Sequence, residues 1–107
     1  MKAGQPVYMS ALGILSALGR GKEQVQENLF SGLRPGVVSR SDLLVDGASV
    51  FVGEVAGPLP QGPEALSAYA SRNFGLILAA VDEIRVEIDD AIARYGRNRV
   101  AVVMATC

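Results

Sequence analysis

The chain has 107 residues, half of them hydrophobic and a fifth charged, and a formal net charge of -1. That length allows one domain with a modest core, and the composition is that of globular rather than disordered proteins. It excludes the clustered basic surface of a nucleic-acid binder, and no apolar stretch reaches the roughly 18 residues needed to span a bilayer. The opening MKAGQPVYMSALG has no compact apolar run followed by a small-residue cleavage site, so no signal peptide is expected and the cytoplasm is the default location. A single cysteine and the absence of histidine rule out an intrachain disulfide and a cysteine-histidine zinc site. They also rule out any catalytic relay that draws its histidine from these residues.

Taken in order, residues 7–11 read as a short strand, with Gly13 at its exit. GKEQVQENLFSG predicts a helix: Val25, Leu29 and Leu33 recur every four residues, Phe30 widens the face and Gly32 stops it. This helix is expected to lie on a sheet. LRPGVVSRSDLLVDGA is punctuated by Pro35-Gly36 and Asp46-Gly47 and reads as a long surface connection. SVFVGEVA, residues 49–56, is rich in β-branched and aromatic residues and reads as a strand, broken by Gly57, Pro58, Pro60, Gly62 and Pro63.

Residues 71–95 carry Ile77, Ala80, Val81, Ile84, Ile88, Ala91 and Tyr95 at a period near 3.6, with Asp82, Glu83, Arg85, Glu87 and Asp89 largely opposite. This predicts a long amphipathic helix with Ser71 as its N-cap and Gly96 at its end. Its unusual length leaves room for a kink near Val86 or a split around Asp89-Asp90. Residues 99–104 form a nearly continuous Val/Ala run, the pattern of a strand covered on both faces. The expected order is strand, helix, strand, helix, strand, an α/β layered fold.

Four constellations invite a chemical reading. Gly13, Gly19 and Gly21 followed by Lys22 lack the P-loop spacing, since Ser16 and Glu23 stand where that motif needs a glycine and a hydroxyl residue. The glycines therefore read as geometry, with only a weak anion preference at the helix N-terminus. Asp82/Arg85 and Glu83/Glu87 read as a solvated helix face rather than as acid-base pairs. Arg72-Asn73 reads as tying the preceding connection to the helix, with substrate binding as the alternative. Cys107 follows Ala105-Thr106 at the end of an apolar strand, where open α/β sheets place ligand contacts. It lacks a histidine, and no following helix lowers its thiol pKa.

SALGILSALGRGKEQVQENLFSGLRPGV resembles the opening strand, glycine turn and first helix of the β-ketoacyl-acyl carrier protein synthases, condensing enzymes of the thiolase-like superfamily. VFVGEV, LP, YASRNFGLILAAVDEI and AIARYGRNRVAVVMATC follow in family order, so the resemblance runs over nearly the whole chain. Two positions depart from the pattern. Ala17 stands where the turn often has proline, and Ala105-Thr106-Cys107 stands where the family usually has a glycine followed by small residues.

The resemblance implies a partial thiolase-like α/β fold, with residues 1–107 as the first part of the N-terminal domain, truncated after the third strand. It implies a parent enzyme that condenses an acyl thioester with malonyl-acyl carrier protein, and no cofactor. Thr106 and Cys107 would then be acyl-pocket wall. The family's catalytic cysteine and its histidines would lie downstream, so this chain alone is expected to be inactive. Implied partners are acyl carrier protein, acyl thioesters, and a second copy or the remaining part of the enzyme. A non-catalytic scaffold derived from the same fold, and a small module binding an acyl or CoA-like ligand, are the alternatives.

Overall fold

The computed structural model describes residues 4–105. A small hairpin comes first: β1 (Leu15–Ser16) pairs antiparallel with β2 (Gly19–Arg20). Helix α1 (Lys22–Ser31) follows and packs on it, ending at Gly32 in the left-handed conformation expected of a helix-terminating glycine. A second antiparallel hairpin joins β3 (Val37–Arg40) to β4 (Val50–Gly53), with Val37 opposite Gly53 and Arg40 opposite Val50. A 3-10 segment (Glu64–Tyr69) leads into α2 (Arg72–Glu83) and α3 (Arg85–Tyr95), and a short 3-10 turn (Arg97–Arg99) follows.

The helices form where the spacing predicts them. Ser71 caps α2: its hydroxyl accepts from the Phe74 N–H at 3.1 Å. Ile77, Ala80, Val81, Ile84, Ile88 and Ala91 are half-buried, as the periodicity requires, but Tyr95, the last of the expected apolar set, is exposed at the end of α3, where no element among the described residues covers it. The long helix is broken at Ile84 (φ -113°, ψ 21°), two residues before Val86, and no break occurs at Asp89-Asp90. Replacing Ser71 with Ala should cost about 1 kcal/mol. In the variant the helical circular dichroism signal should weaken.

The strands depart further from expectation. Residues 7–11 and 99–104 are in no sheet: no other strand lies beside them among the described residues, so their N–H and C=O groups gain nothing from pairing. Val7 is 96 % exposed and Val103 85 % exposed, the reverse of a doubly covered strand. The fold is mixed α/β, but its sheets are two local hairpins and its order is hairpin, helix, hairpin, helix, helix. The expected surface connection contains β3, which exists because β4 offers it a partner.

The core is thin. Val25 on α1 is the one buried apolar side chain among the described residues, with Gly36 and Gly75 buried as backbone. Leu29, Phe30 and Leu33, expected to face a sheet, are exposed because the two-residue strands of the first hairpin cover little more than Val25. The Cα radius of gyration is 17.7 Å, against about 13 Å for a compact domain of this length.

Candidate functional site

Two clefts flank the segment that leads out of β4. One, of about 720 Å³, runs from Gly57 to Gly75 and includes Leu59, Pro60 and Phe74. The other, of about 480 Å³, has the first hairpin (Ser16–Arg20) as one wall and Pro35, Gly36, Glu54 and Ala56 opposite. Gly57 lines both.

Two arginines hold the dividing segment through its backbone. The Arg20 guanidinium donates from Nε to the Ala56 carbonyl at 2.9 Å and from Nη2 to the Pro58 carbonyl at 2.6 Å. Arg72 donates from Nη2 to the Val55 carbonyl at 3.2 Å. A planar fork of donors suits this task, because one side chain can satisfy two carbonyls of a segment that has no strand partner of its own. Arg72 therefore ties α2 to the exit of β4 and not, as the sequence suggests, to the connection PEALSAYAS directly before the helix. Arg20 was not singled out there, because nothing local marks an arginine whose partners lie 36 and 38 residues away.

The other polar side chains of the smaller cleft also bond to protein. Ser16 Oγ accepts from the Leu18 N–H at 3.1 Å, Gln24 Oε1 accepts from the Arg20 N–H at 2.7 Å, and Asn28 Nδ2 donates to the Leu18 carbonyl. Glu54 pairs with Arg40, which also pairs with Asp42. The hydrogen bonds to Asp42 and Glu54 hold the Arg40 guanidinium far above its ordinary pKa, and the bond from Arg40 pulls the Asp42 carboxyl below its own. These groups are solvent-accessible, so the network orders the second hairpin without adding much stability. Among the described residues no His, Cys, Asp or Glu cluster has metal-binding geometry. The smaller cleft thus presents apolar walls and polar side chains already committed to protein partners.

The glycine cluster has a geometric role. Gly21 N donates to the Ile14 carbonyl at 3.0 Å, closing the loop around the first hairpin, and its φ of 86° is a backbone state that favours glycine. A Cβ on Gly13 would fall inside the van der Waals shell of the Ala80 carbonyl oxygen, so this glycine lets the loop rest directly on α2.

The anion preference of the α1 N-terminus is met from within. Glu83 Oε1 accepts from the Lys22 N–H at 2.8 Å, and the Lys22 ammonium lies 3.0 Å from the same oxygen. Glu83 is therefore not part of a solvated face, and its side chain is only 21 % exposed. Asp82 and Arg85 do form the expected exposed pair, at 3.4 Å. Thr106 and Cys107, the expected pocket wall, lie outside the described residues.

A mixed α/β unit in which a glycine turn, a first helix, a hairpin and a broken amphipathic helix follow in this order is a partial thiolase-like, ketosynthase-like fold. The chain superposes with a TM-score of 0.79 and 43 % identity on a chain of the ketosynthase (ApeO) in complex with its chain length factor (ApeC) from Xenorhabdus doucetiae. The match covers 84 % of this chain and 23 % of that one, so this chain spans about a quarter of the length of its structural neighbour. No protein-family model and no curated protein matches it. No helix among the described residues is long and apolar enough to cross a membrane.

Proposed function

We propose that the chain is the first part of the N-terminal domain of a 3-oxoacyl-acyl carrier protein synthase. Such an enzyme condenses an acyl thioester with malonyl-acyl carrier protein, with loss of carbon dioxide, in fatty-acid or related synthesis. The observation that carries this reading is 43 % identity maintained over 84 % of the chain at a TM-score of 0.79. In it, the arginine-held segment and its clefts are scaffold, Thr106 and Cys107 are acyl-pocket wall, and acyl carrier protein and acyl thioesters are the partners of the whole enzyme in the cytoplasm.

The chain by itself is inactive in this reading. Condensation needs a thiolate, donors aimed at the thioester oxygen and a proton-handling group at one carbonyl, and the sequence holds no histidine for the last. Incubated with an acyl thioester and malonyl-acyl carrier protein, the purified chain should release no carbon dioxide and form no 3-oxoacyl product above the protein-free control. Measurable condensation by the chain alone overturns the statement.

A second reading is favoured by one observation: the neighbouring structure is a ketosynthase solved with its chain length factor. In this reading the chain serves a non-catalytic protein that associates with a ketosynthase. The two readings separate by complementation. If supplying the chain in trans restores condensation to a ketosynthase lacking the matching segment, the chain is part of the catalytic protein. Stable binding to an intact ketosynthase, without such rescue, supports the scaffold.

A further inference from the structure

We propose that Glu83 is a protonation-sensitive latch that pins the first hairpin, and with it one wall of the smaller cleft, to the end of α2. The loop it holds is closed on itself by the bond from Gly21 N to the Ile14 carbonyl at 3.0 Å. The N–H groups on either side of that closure both end on one carboxylate: Ile14 N donates to Glu83 Oε2 at 2.8 Å, and Lys22 N donates to Oε1 at 2.8 Å. These donors are 69 and 61 residues away in sequence. One side chain therefore holds both ends of a loop whose residues 16–20 form the cleft wall.

The arrangement also solves a problem of α1. Gly21, its N-cap, has no side chain to accept from the first-turn N–H groups, and no side-chain cap bond is made. Glu83 supplies the missing acceptor from another helix. The Lys22 ammonium, 3.0 Å from Oε1, also donates to the Leu12 carbonyl and so ties the approach to the loop into the same cluster.

A neutral carboxyl cannot hold this geometry. Its protonated oxygen becomes a donor facing an N–H donor, and the attraction to Lys22 is lost. The charged groups around it are few. From α1 they are Lys22 and its neighbour Glu23, and along the break between α2 and α3 they are Asp82, Arg85 and Glu87. The loop itself carries one charged side chain between residues 12 and 20, Arg20, whose guanidinium is bonded to the Ala56 and Pro58 carbonyls. Burial works to raise the Glu83 pKa, but the bonds from the Lys22 and Ile14 N–H groups and the Lys22 ammonium outweigh it, leaving the carboxyl below its ordinary value. A depressed folded pKa means the latch contributes fully above the ordinary value of about 4.3. Its contribution is lost as the pH falls through the lowered folded value. At neutral pH the latch is closed and the cleft wall is fixed.

Carbon-detected titration of the Glu83 carboxyl, followed together with the amide resonances of Ile14 and Lys22 in the unaltered chain, tests this directly. Both amides should titrate with the Glu83 midpoint, below about 4.3, and the protection factors of residues 14–22, taken against the intrinsic exchange rate at each pH, should fall at least about tenfold on its acid side, the equivalent of one unit of log K in loop opening. In Glu83→Gln that midpoint should vanish and the protection factors stay low at every pH. In Lys22→Met, which keeps both backbone donors, the midpoint should persist and move up, while Asp82→Asn should leave both amides unchanged. Amides of Ile14 and Lys22 that ignore the Glu83 titration overturn the proposal. So does an acid transition in which every amide of the chain moves together with no earlier step at these two.

Discussion

Replacing Gly13 with Val is expected to separate the first hairpin from α2 and to strip the amide protection of the loop that rests on it. Even a single Cβ at this position collides with the Ala80 carbonyl. That atom belongs to helix backbone, so no rotamer change relieves the overlap. Inserting methyl groups where the surroundings cannot move typically costs 1–3 kcal/mol or more. Here the loss falls on a chain whose buried apolar core among the described residues is Val25 alone, far less than supports the usual margin of about 5–15 kcal/mol. Amide exchange at Ile14 and Gly21 is the measurement. Protection indistinguishable from that of the unaltered chain would show that the loop does not rest on α2. Gly13→Ala, with one carbon in the same place, should show the same loss in milder form.

The second large effect concerns association. Val7, Tyr8 and Met9 before the first hairpin, Phe30 on α1, Phe51 on β4 and Val103 near the other end are all strongly exposed. The segments carrying Val7 and Val103 also present unpaired strand-like backbone. Extended apolar backbone without a partner is a template for further pairing. Light scattering should therefore show self-association that grows with concentration. Addition of the remaining portion of a ketosynthase chain should suppress it and lower the binding of an apolar fluorescent dye. A monodisperse monomer across the range of concentrations, with no dye binding, would argue against this account of the surface.

What the sequence revealed of the fold divides along a physical line. Helices close their hydrogen bonds within a few residues, so Gly32, Ser71 and Gly96 and the apolar period between them place α1 and the outer ends of the α2–α3 run to within a residue or two, while the break falls at Ile84, ahead of both places the sequence offers for it. Strands require partners. The apolar runs at 7–11 and 99–104 have the grammar of strands, but grammar cannot supply the neighbour that makes one. Conversely, VVSR between two turn signals looked like connection until VFVG folded back along it. The resemblance in the ordered motifs identified the ketosynthase-like class that the structural match then showed.

The site was legible to a smaller degree. Arg72 was noticed because it opens a helix, and the glycines because glycine always marks backbone geometry. In the sequence Glu83 is one more charge on a polar face, because spacing alone does not distinguish a carboxylate that meets water from one that meets two N–H groups more than 60 residues away. The break at Ile84 belongs with it: α2 ends on the residue whose side chain turns back to α1.

The extended shape has a practical bearing on how any oligomer would be recognised. A radius of gyration of 17.7 Å is what a compact domain of about 240 residues would have by the usual scaling. On a column calibrated with compact standards, the solitary chain would emerge earlier than its mass predicts. Early elution is therefore the signature of one molecule of this form, and only a mass measured independently of shape would register the arrival of a second.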